Sequence, residues 1–381
     1  MFLYGSSGLC KENLIWGLLS AQEGVFSTRQ LRLLWFGLKR QKLAGENLWQ
    51  KPSRYLTDTK QIQTIVKLRD SQAITLLKQQ LLNCGARIVL YSDSQYPPLL
   101  AAIPDAPVVL FVIGNARVWQ QPCLAVVGSR KAGDYSNFCL HCLLDSRLKG
   151  VSVVSGLMVG VDLMAHERAL SQGLASIAVL GYGIDYAWPT TVKSWRQKII
   201  NSGGVIVSEY APGIMPRGWC FVRRNRLVAG MSVATLVVQA AVKSGSLITA
   251  NCALDYGRDV LAVPGAINQP LSVGTNQLIQ RGAYPVTSSQ EIQQLLQNSS
   301  LLTLEQKKQL RLNVSSQVTP VTAVSALGQR ICQALQQQAL NIDELSVALA
   351  VTPSKVQNHL SLLELEGMVR RRDTGEFSLV L

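Results

Sequence analysis

The chain has 381 residues, 48% of them hydrophobic, which gives room for two or three domains with buried cores and argues against a largely disordered protein. Lysine and arginine number 37 against 23 aspartate and glutamate, a net charge of +14, and such a field attracts polyanions such as nucleic acid. Eight cysteines lie scattered, with one C-x-x-C pair (Cys139 and Cys142) and no second, which fits reduced thiols in the cytosol better than a disulfide scaffold or a zinc site.

Residues 1–85 place Leu31, Leu34, Trp35 and Leu38 at helical spacing, interrupted by Gly24, Gly37 and Gly45, and predict a small helical domain. This stretch holds 12 basic and 5 acidic side chains. Ser7-Gly8-Leu9-Cys10 has the look of a lipoprotein cleavage site, but the nine residues before Cys10 include no basic side chain. LIWGLLSA is too short to span a bilayer, so no membrane segment is expected and the chain reads as cytoplasmic.

Residues 86–298 carry six short apolar segments separated by helix-length stretches: CLAVVG (123–128), VSVVSG (151–156), SIAVLG (176–181), GVIVSEY (204–210), ATLVVQ (234–239) and DVLAVPG (259–265). Repeated βα units of this kind predict an α/β fold with a doubly wound, Rossmann-like parallel sheet and a ligand site at the carboxyl ends of its strands. The residues expected there are Gly128-Ser129-Arg130, Ser155-Gly156, Ser208 and the stretch from Gln239 to Ser246. Ser244-Gly245-Ser246 reads as a strand-to-helix turn whose free N–H groups and helix dipole favour an anion, with Gly245 admitting a close ligand and Lys243 adding a charge. Taken alone, the same turn is also an ordinary serine cap. Upstream stand Arg223, Arg224, Asn225 and Arg226; on a helix 223 and 226 share a face while 224 turns away. Three unpaired guanidiniums beside the Ser-Gly-Ser turn need an anion, so these residues join the expected nucleic-acid site.

No metal site is expected, because Cys139, His141 and Cys142 have no second ligand pair. His166, four residues after Asp162, reads as structural rather than catalytic. GSRKAGDYS follows the first strand where a dinucleotide site needs G-x-G-x-x-G, and no Walker A string occurs, so no cofactor and no ATP motor are implied.

Residues 299–323, rich in Ser, Gln and Thr, read as a linker. Within 324–381 three helical patterns (325–338, 341–350, 352–367) precede a hairpin signal around Thr374-Gly375, which predicts a winged-helix domain. Its third helix offers only Lys355, Gln357, Asn358 and His359, and residues 299–381 carry 8 basic and 7 acidic side chains. A protein-contact or auxiliary phosphate-contact role is expected there rather than base-specific duplex reading.

Taken in order, YPPLLAAIPDAPVVLFVIGN (96–115), VVGSR (126–130), SGLMVGVDLMAHERAL (155–170), SEYAPG (208–213), RRNRLVAG (223–230), SGSLITA (244–250) and GRDVLAVPG (257–265) resemble the DNA-processing protein A family, also called DprA or Smf. Each string alone is weak; the ordered set, over about 190 residues, is specific. The resemblance implies a non-enzymatic protein that binds incoming single-stranded DNA and promotes loading of RecA recombinase during natural transformation, with an extended Rossmann-like fold and a homodimeric state. The family's glycine-serine/threonine-arginine loop falls on Gly128, Ser129 and Arg130, and its arginine-asparagine-arginine motif on Arg224, Asn225 and Arg226. The chain departs from the family pattern at Gln239, where a glutamate is common, at Val222 for proline, and at Val192 for asparagine. Two other readings stay open: a nucleotide-processing hydrolase on the same fold, and a winged-helix transcription regulator. A hydrolase would want an acid or base at the site, and neutral Gln239 with no histidine in the 205–265 block argues against it.

Overall fold

The structure, a computed structural model, describes residues 9–22, 24–315, 326–365, 369–372 and 375–379. Ser7-Gly8, residues 316–323 of the expected linker and Thr374 of the expected hairpin turn lie outside the described residues. The chain forms two compact units, residues 1–314 and 315–381.

The first unit begins with five helices: α1 (Lys11–Ser20), α2 (Thr28–Arg40), α3 (Gly45–Gln50), α4 (Thr59–Asp70) and α5 (Ala73–Cys84). Local chemistry fixes their ends. Ser27 and Gln30 form a capping box at the start of α2, and the Asp58 carboxylate accepts from the Gln61 N–H (3.0 Å) at the start of α4. Helix α1 buries seven consecutive residues, Asn13 to Leu19, so it is covered on all sides. Trp16 meets Trp35 of α2 edge to face, with ring centroids 4.9 Å apart. Gly17 lies so close to the sheet that a Cβ there would come within 2.7 Å of the Ile88 side chain. The helices expected as a domain of their own therefore share one continuous core with the sheet, including Phe111, Leu180 and Ile206.

The sheet has nine strands: β1 (Arg87–Leu90), β2 (Val109–Gly114), β3 (Cys123–Val127), β4 (Ser152–Ser155), β5 (Ala175–Leu180), β6 (Val205–Ser208), β7 (Ala234–Val237), β8 (Asp259–Ala262) and β9 (Tyr284–Pro285), in the order β1-β2-β6-β5-β4-β3-β7-β8-β9. Strands β3 to β8 are the six expected parallel strands. The antiparallel pair β1–β2, joined antiparallel to β6, and the short β9 extend the sheet beyond that expectation. Between the strands run α6 (Pro98–Ala101), α7 (Asp134–Leu143), α8 (Val161–Ser171), α9 (Lys193–Asn201), α10 (Gly218–Gly230), α11 (Gly245–Asp255), α12 (Val273–Gln280) and α13 (Ser289–Asn298). Alternation along each strand divides the core into layers. Leu124 and Val126 of β3 face the core that holds Leu140, Ala165 and Ile292, whereas Ala125 and Val127 face the core of Leu227, Val228 and Ala250. Helix α14 (Leu304–Ser315) occupies part of the segment expected as linker; Leu310 is buried in the core and the Gln306 amide donates to the Gln120 carbonyl (2.8 Å).

From the central β3 the chain moves outward through β4, β5 and β6, then returns to β7 on the opposite flank of β3. The crossovers leave β3 and β7 in opposite directions, and their carboxyl ends part to form a crevice.

The second unit contains α15 (Ala326–Gln337), α16 (Ile342–Leu349), α17 (Pro353–Leu365) and an antiparallel pair, β10 (Val369–Arg371) and β11 (Phe377–Leu379). Ile331, Leu345, Val356, Leu360 and Phe377 form its core, and Pro353 opens α17 as expected. This is the predicted winged-helix arrangement. Among the described residues no helix is long and apolar enough to cross a membrane.

His166 lies wholly buried in α8, with Nδ1 2.6 Å from the Ser176 hydroxyl, away from the strand ends. Burial, reinforced by Arg224, lowers its pKa from 6.5 to about 3. The unfolded chain therefore binds a proton that the folded chain refuses between these values, and stability present above pH 6.5 is lost as pH falls. Relative to His166→Gln, the wild-type protein should lose about 2 kcal/mol more between pH 7 and pH 5. Urea titrations of both proteins at the two pH values measure this, and equal losses would contradict it.

Candidate nucleic-acid interface

A cleft of about 1260 Å³ opens where β3, β4 and β7 end. The loop after β3 is built by close backbone approach. A Cβ on Gly128 would lie 2.6 Å from the Val161 side chain, and one on Gly160 (φ +90°) would lie 2.4 Å from the Ser129 carbonyl. Ser129 N–H donates to the Gln239 carbonyl (2.8 Å), and the Ser129 hydroxyl accepts from Lys131 N–H (3.0 Å). These bonds fix the loop and leave the Arg130 side chain exposed, with its guanidinium 5.7 Å from the Phe221 ring centre.

Across the cleft, Ser244 caps α11, its hydroxyl 3.4 Å from Ser246 N and 2.7 Å from the Ser246 hydroxyl. Gly245 is exposed, with nothing within 4 Å of where a Cβ would stand, and Lys243 beside it is exposed. The Asn225 amide donates to the Gly245 carbonyl (3.2 Å), tying α10 to this turn. The positive end of α11 thus faces the cleft.

Arg224 forms the floor at 4% exposure. Its guanidinium lies over Gly156, where a Cβ would collide with it at 2.1 Å, and donates to the Val179 carbonyl. Its Nε has no hydrogen-bond partner among the described residues. Burial lowers the Arg224 pKa while Asp162 acts against that shift; burial likewise raises the Asp162 carboxyl against the pull of Arg224. Five cations, Arg130, Lys131, Arg217, Arg224 and Lys243, line the cleft against the single carboxylate of Asp162. Trp188, Met215, Phe221 and Ile248 add apolar surface.

The structure thus brings Gly128, Ser129, Arg130, Gly156, Arg224, Asn225, Lys243, Ser244, Gly245 and Ser246 around one cleft. It does not bring Arg223 and Arg226 there. As helical spacing dictates, they share the other face of α10, but that face meets Glu209: Arg226 at 2.6 Å and Arg223 at 3.1 Å. Arg226 also pairs with Asp105 (3.5 Å), and Arg223 donates to the Thr28 hydroxyl. The expected three unpaired guanidiniums are one cleft cation and two ion-paired ones.

Ser155 and Ser208 are likewise corrected. Both are buried, their hydroxyls donating to the carbonyls of Val126 and Tyr182 (each 2.6 Å), so they tie strand ends together. Gln239 is buried outside the cleft lining, its amide oxygen accepting from the Ser136 hydroxyl (2.5 Å). Val192 is fully buried in the core, and Val222 is exposed at the cleft. Sequence reasoning missed Asp162, Arg217, Phe221 and Trp188 as cleft residues. The G-V-D turn before α8 gave the only local hint for Asp162. Among the described residues no group of three or more His, Cys, Asp or Glu side chains is placed to hold a metal ion.

Fold and cleft together define a Rossmann-like α/β protein with a basic crevice at its switch point, joined to a winged-helix unit. The sequence pattern of DNA recombination-mediator protein A matches residues 87–297, and that of the DprA winged helix domain matches residues 316–375. The chain belongs to the DNA recombination-mediator protein A family. It is 37% identical over 275 residues to protein Smf of Escherichia coli K12, covering 68% of this chain and 73% of that protein. The crystal structure of DNA processing protein A from Streptococcus pneumoniae superposes with a TM-score of 0.60 at 30% identity, over 77% of this chain and 99% of that one. DNA processing protein A from Helicobacter pylori, studied for its single-stranded DNA binding mode, matches at TM-score 0.50 and 29% identity, over 56% and 97% of the two chains.

Arg224 and Arg130 should separate stability from surface charge. Arg224→Ala removes the buried guanidinium that opposes the upward shift of half-buried Asp162 and should lower unfolding free energy by about 3 kcal/mol, whereas exposed Arg130→Ala should change it by less than about 0.5 kcal/mol. Guanidinium chloride denaturation of the two variants is the check. Equal stabilities would show that Arg224 does not hold the floor.

Proposed function

We propose that the protein binds single-stranded DNA in this cleft and promotes loading of RecA onto the bound strand, acting as a cytoplasmic homodimer in natural transformation and recombination. The contacts assigned to DNA are Gly128 to Arg130, Gly156, Arg224, Asn225 and Lys243 to Ser246, all within residues 86–298. The observation that carries the reading is the convergence of Arg130, Arg224 and Lys243 with the amino terminus of α11 around a cleft that also presents Trp188 and Phe221. A single strand uses both features, because its phosphates meet the cations while its unpaired bases meet the rings; a duplex hides its base faces. Phosphate contacts and ring stacking do not depend on base identity, so binding should tolerate any sequence. Family membership and the likeness to the Helicobacter pylori protein support the DNA reading, and the RecA role rests on family membership.

Single strands should bind well ahead of duplexes of equal length, with each phosphate contact adding about −0.7 to the log–log salt slope. Arg130→Ala and Lys243→Ala should each weaken single-strand binding about tenfold or more, the expected loss for a charge-assisted hydrogen bond of about 1.5–3 kcal/mol. Fluorescence anisotropy over a salt series measures both, and equal affinity for duplex would overturn the assignment.

The hydrolase alternative has one foothold, the Asp162 carboxylate in the cleft. Its charge is engaged by Arg224 beneath it, and Gln239 is an amide outside the cleft. Incubation of the purified protein with nucleoside triphosphates should release neither base nor phosphate. Release that scales with protein and disappears in Asp162→Asn would establish an enzyme instead.

A further inference from the structure

We propose that the bound strand leaves the cleft over the first turn of α10 and enters a second groove walled by the amino-terminal helices, making α2 and α4 part of the DNA track. This rests on the DNA reading of the cleft and adds a second subsite to it.

The groove, about 790 Å³, lies between the starts of α2 and α4, the chain after β6 and the first turns of α10. Arg217, the residue before α10, lines both the cleft and the groove, so the two are separated only by the helix start that carries it. Beyond Arg217 stands Trp219. It is 44% exposed, and its indole meets Tyr210 edge-on at 6.1 Å between ring centres, which orients the ring while leaving much of it in solvent. Lys60, exposed in the first turn of α4, supplies a cation on the far wall.

Among the described residues the groove lining includes two carboxylates, and both are engaged. Asp58 caps α4 through the Gln61 N–H, and Glu209 is held by Arg226 at 2.6 Å and Arg223 at 3.1 Å. Arg223 keeps 35% of its side chain exposed and can face a phosphate while Arg226 holds Glu209 from behind. Cations at 60, 217 and 223 thus flank the exposed Trp219 ring, which the buried Tyr210 supports from behind. Positive charge beside an open ring face suits a strand whose phosphates and bases alternate along its length. An acidic peptide would use the charges and leave the ring idle.

The test is a length series of oligothymidylates, from about 5 nucleotides, which fill the cleft alone, to about 20, which reach the groove. Trp219→Ala and Lys60→Glu, both outside the cleft lining, should leave the shortest strands bound within about twofold of wild type. The longest strands should bind at least about fivefold more weakly, the low end expected for losing one stacked base. Trp219→Phe should restore most of the loss, and photocrosslinking with iododeoxyuridine along the strand should label Trp219 only in the longer oligonucleotides. Unchanged affinity at every length overturns the second groove, as does an equal loss at every length, which would place Trp219 in the first cleft. If wild type binds no single strand at any length, the cleft reading falls with it.

Discussion

Arg224 is a permanent charge carried almost wholly out of water, and the strand ends are arranged around that fact. Gly156 exists as glycine because the guanidinium occupies the space of its Cβ. Asp162 sits in the cleft wall as its counter-ion, and Val179 turns a carbonyl toward it. Half-buried Asp162 faces the charge, and among the described residues Nε has no hydrogen-bond partner, so one N–H of the floor is left to be satisfied. An anion entering the cleft meets a charge that solvent screens poorly, backed by exposed Arg130 and Lys243 that reach further out. The buried arginine sets the depth of the site and the exposed pair sets its reach.

The topology makes this placement possible. Because β3 and β7 are neighbours whose connections depart in opposite directions, the glycine-serine-arginine loop and the Lys243-to-Ser246 turn face one another across a gap that no crossover fills. Helix α10 lies along this gap. Its 3.6-residue period sends Arg224 and Asn225 toward the cleft and Arg223 and Arg226 toward Glu209, so one short sequence serves two different surfaces.

The six parallel strands were legible because each is a brief β-branched run followed by glycine, serine or a polar turn, and the winged helix was legible from its helix caps and closing hairpin. What sequence spacing could not provide was the partner on the far side of a helix. Arg223 and Arg226 read as unpaired because Glu209 belongs to a different strand-end loop, and only the folded sheet brings that loop under α10. Ser155 and Ser208 looked like site hydroxyls for a related reason: strand-end position was readable, but the direction of the side chain, inward to a carbonyl, was not. Likewise α1 showed apolar residues without revealing that its second face is covered by β1 and β2, an antiparallel pair that the parallel pattern of the later strands did not announce.

The Glu209 cluster joins parts of the chain far apart in sequence. Its carboxylate accepts from Thr28 at the first residue of α2 (3.0 Å) and from Arg223 and Arg226 on α10. The same helix carries Arg224 and Asn225 into the cleft on its opposite side. The helix that carries the cleft side chains is thus anchored, on its other face, to the start of α2, so the amino-terminal helices belong to the framework that holds the site.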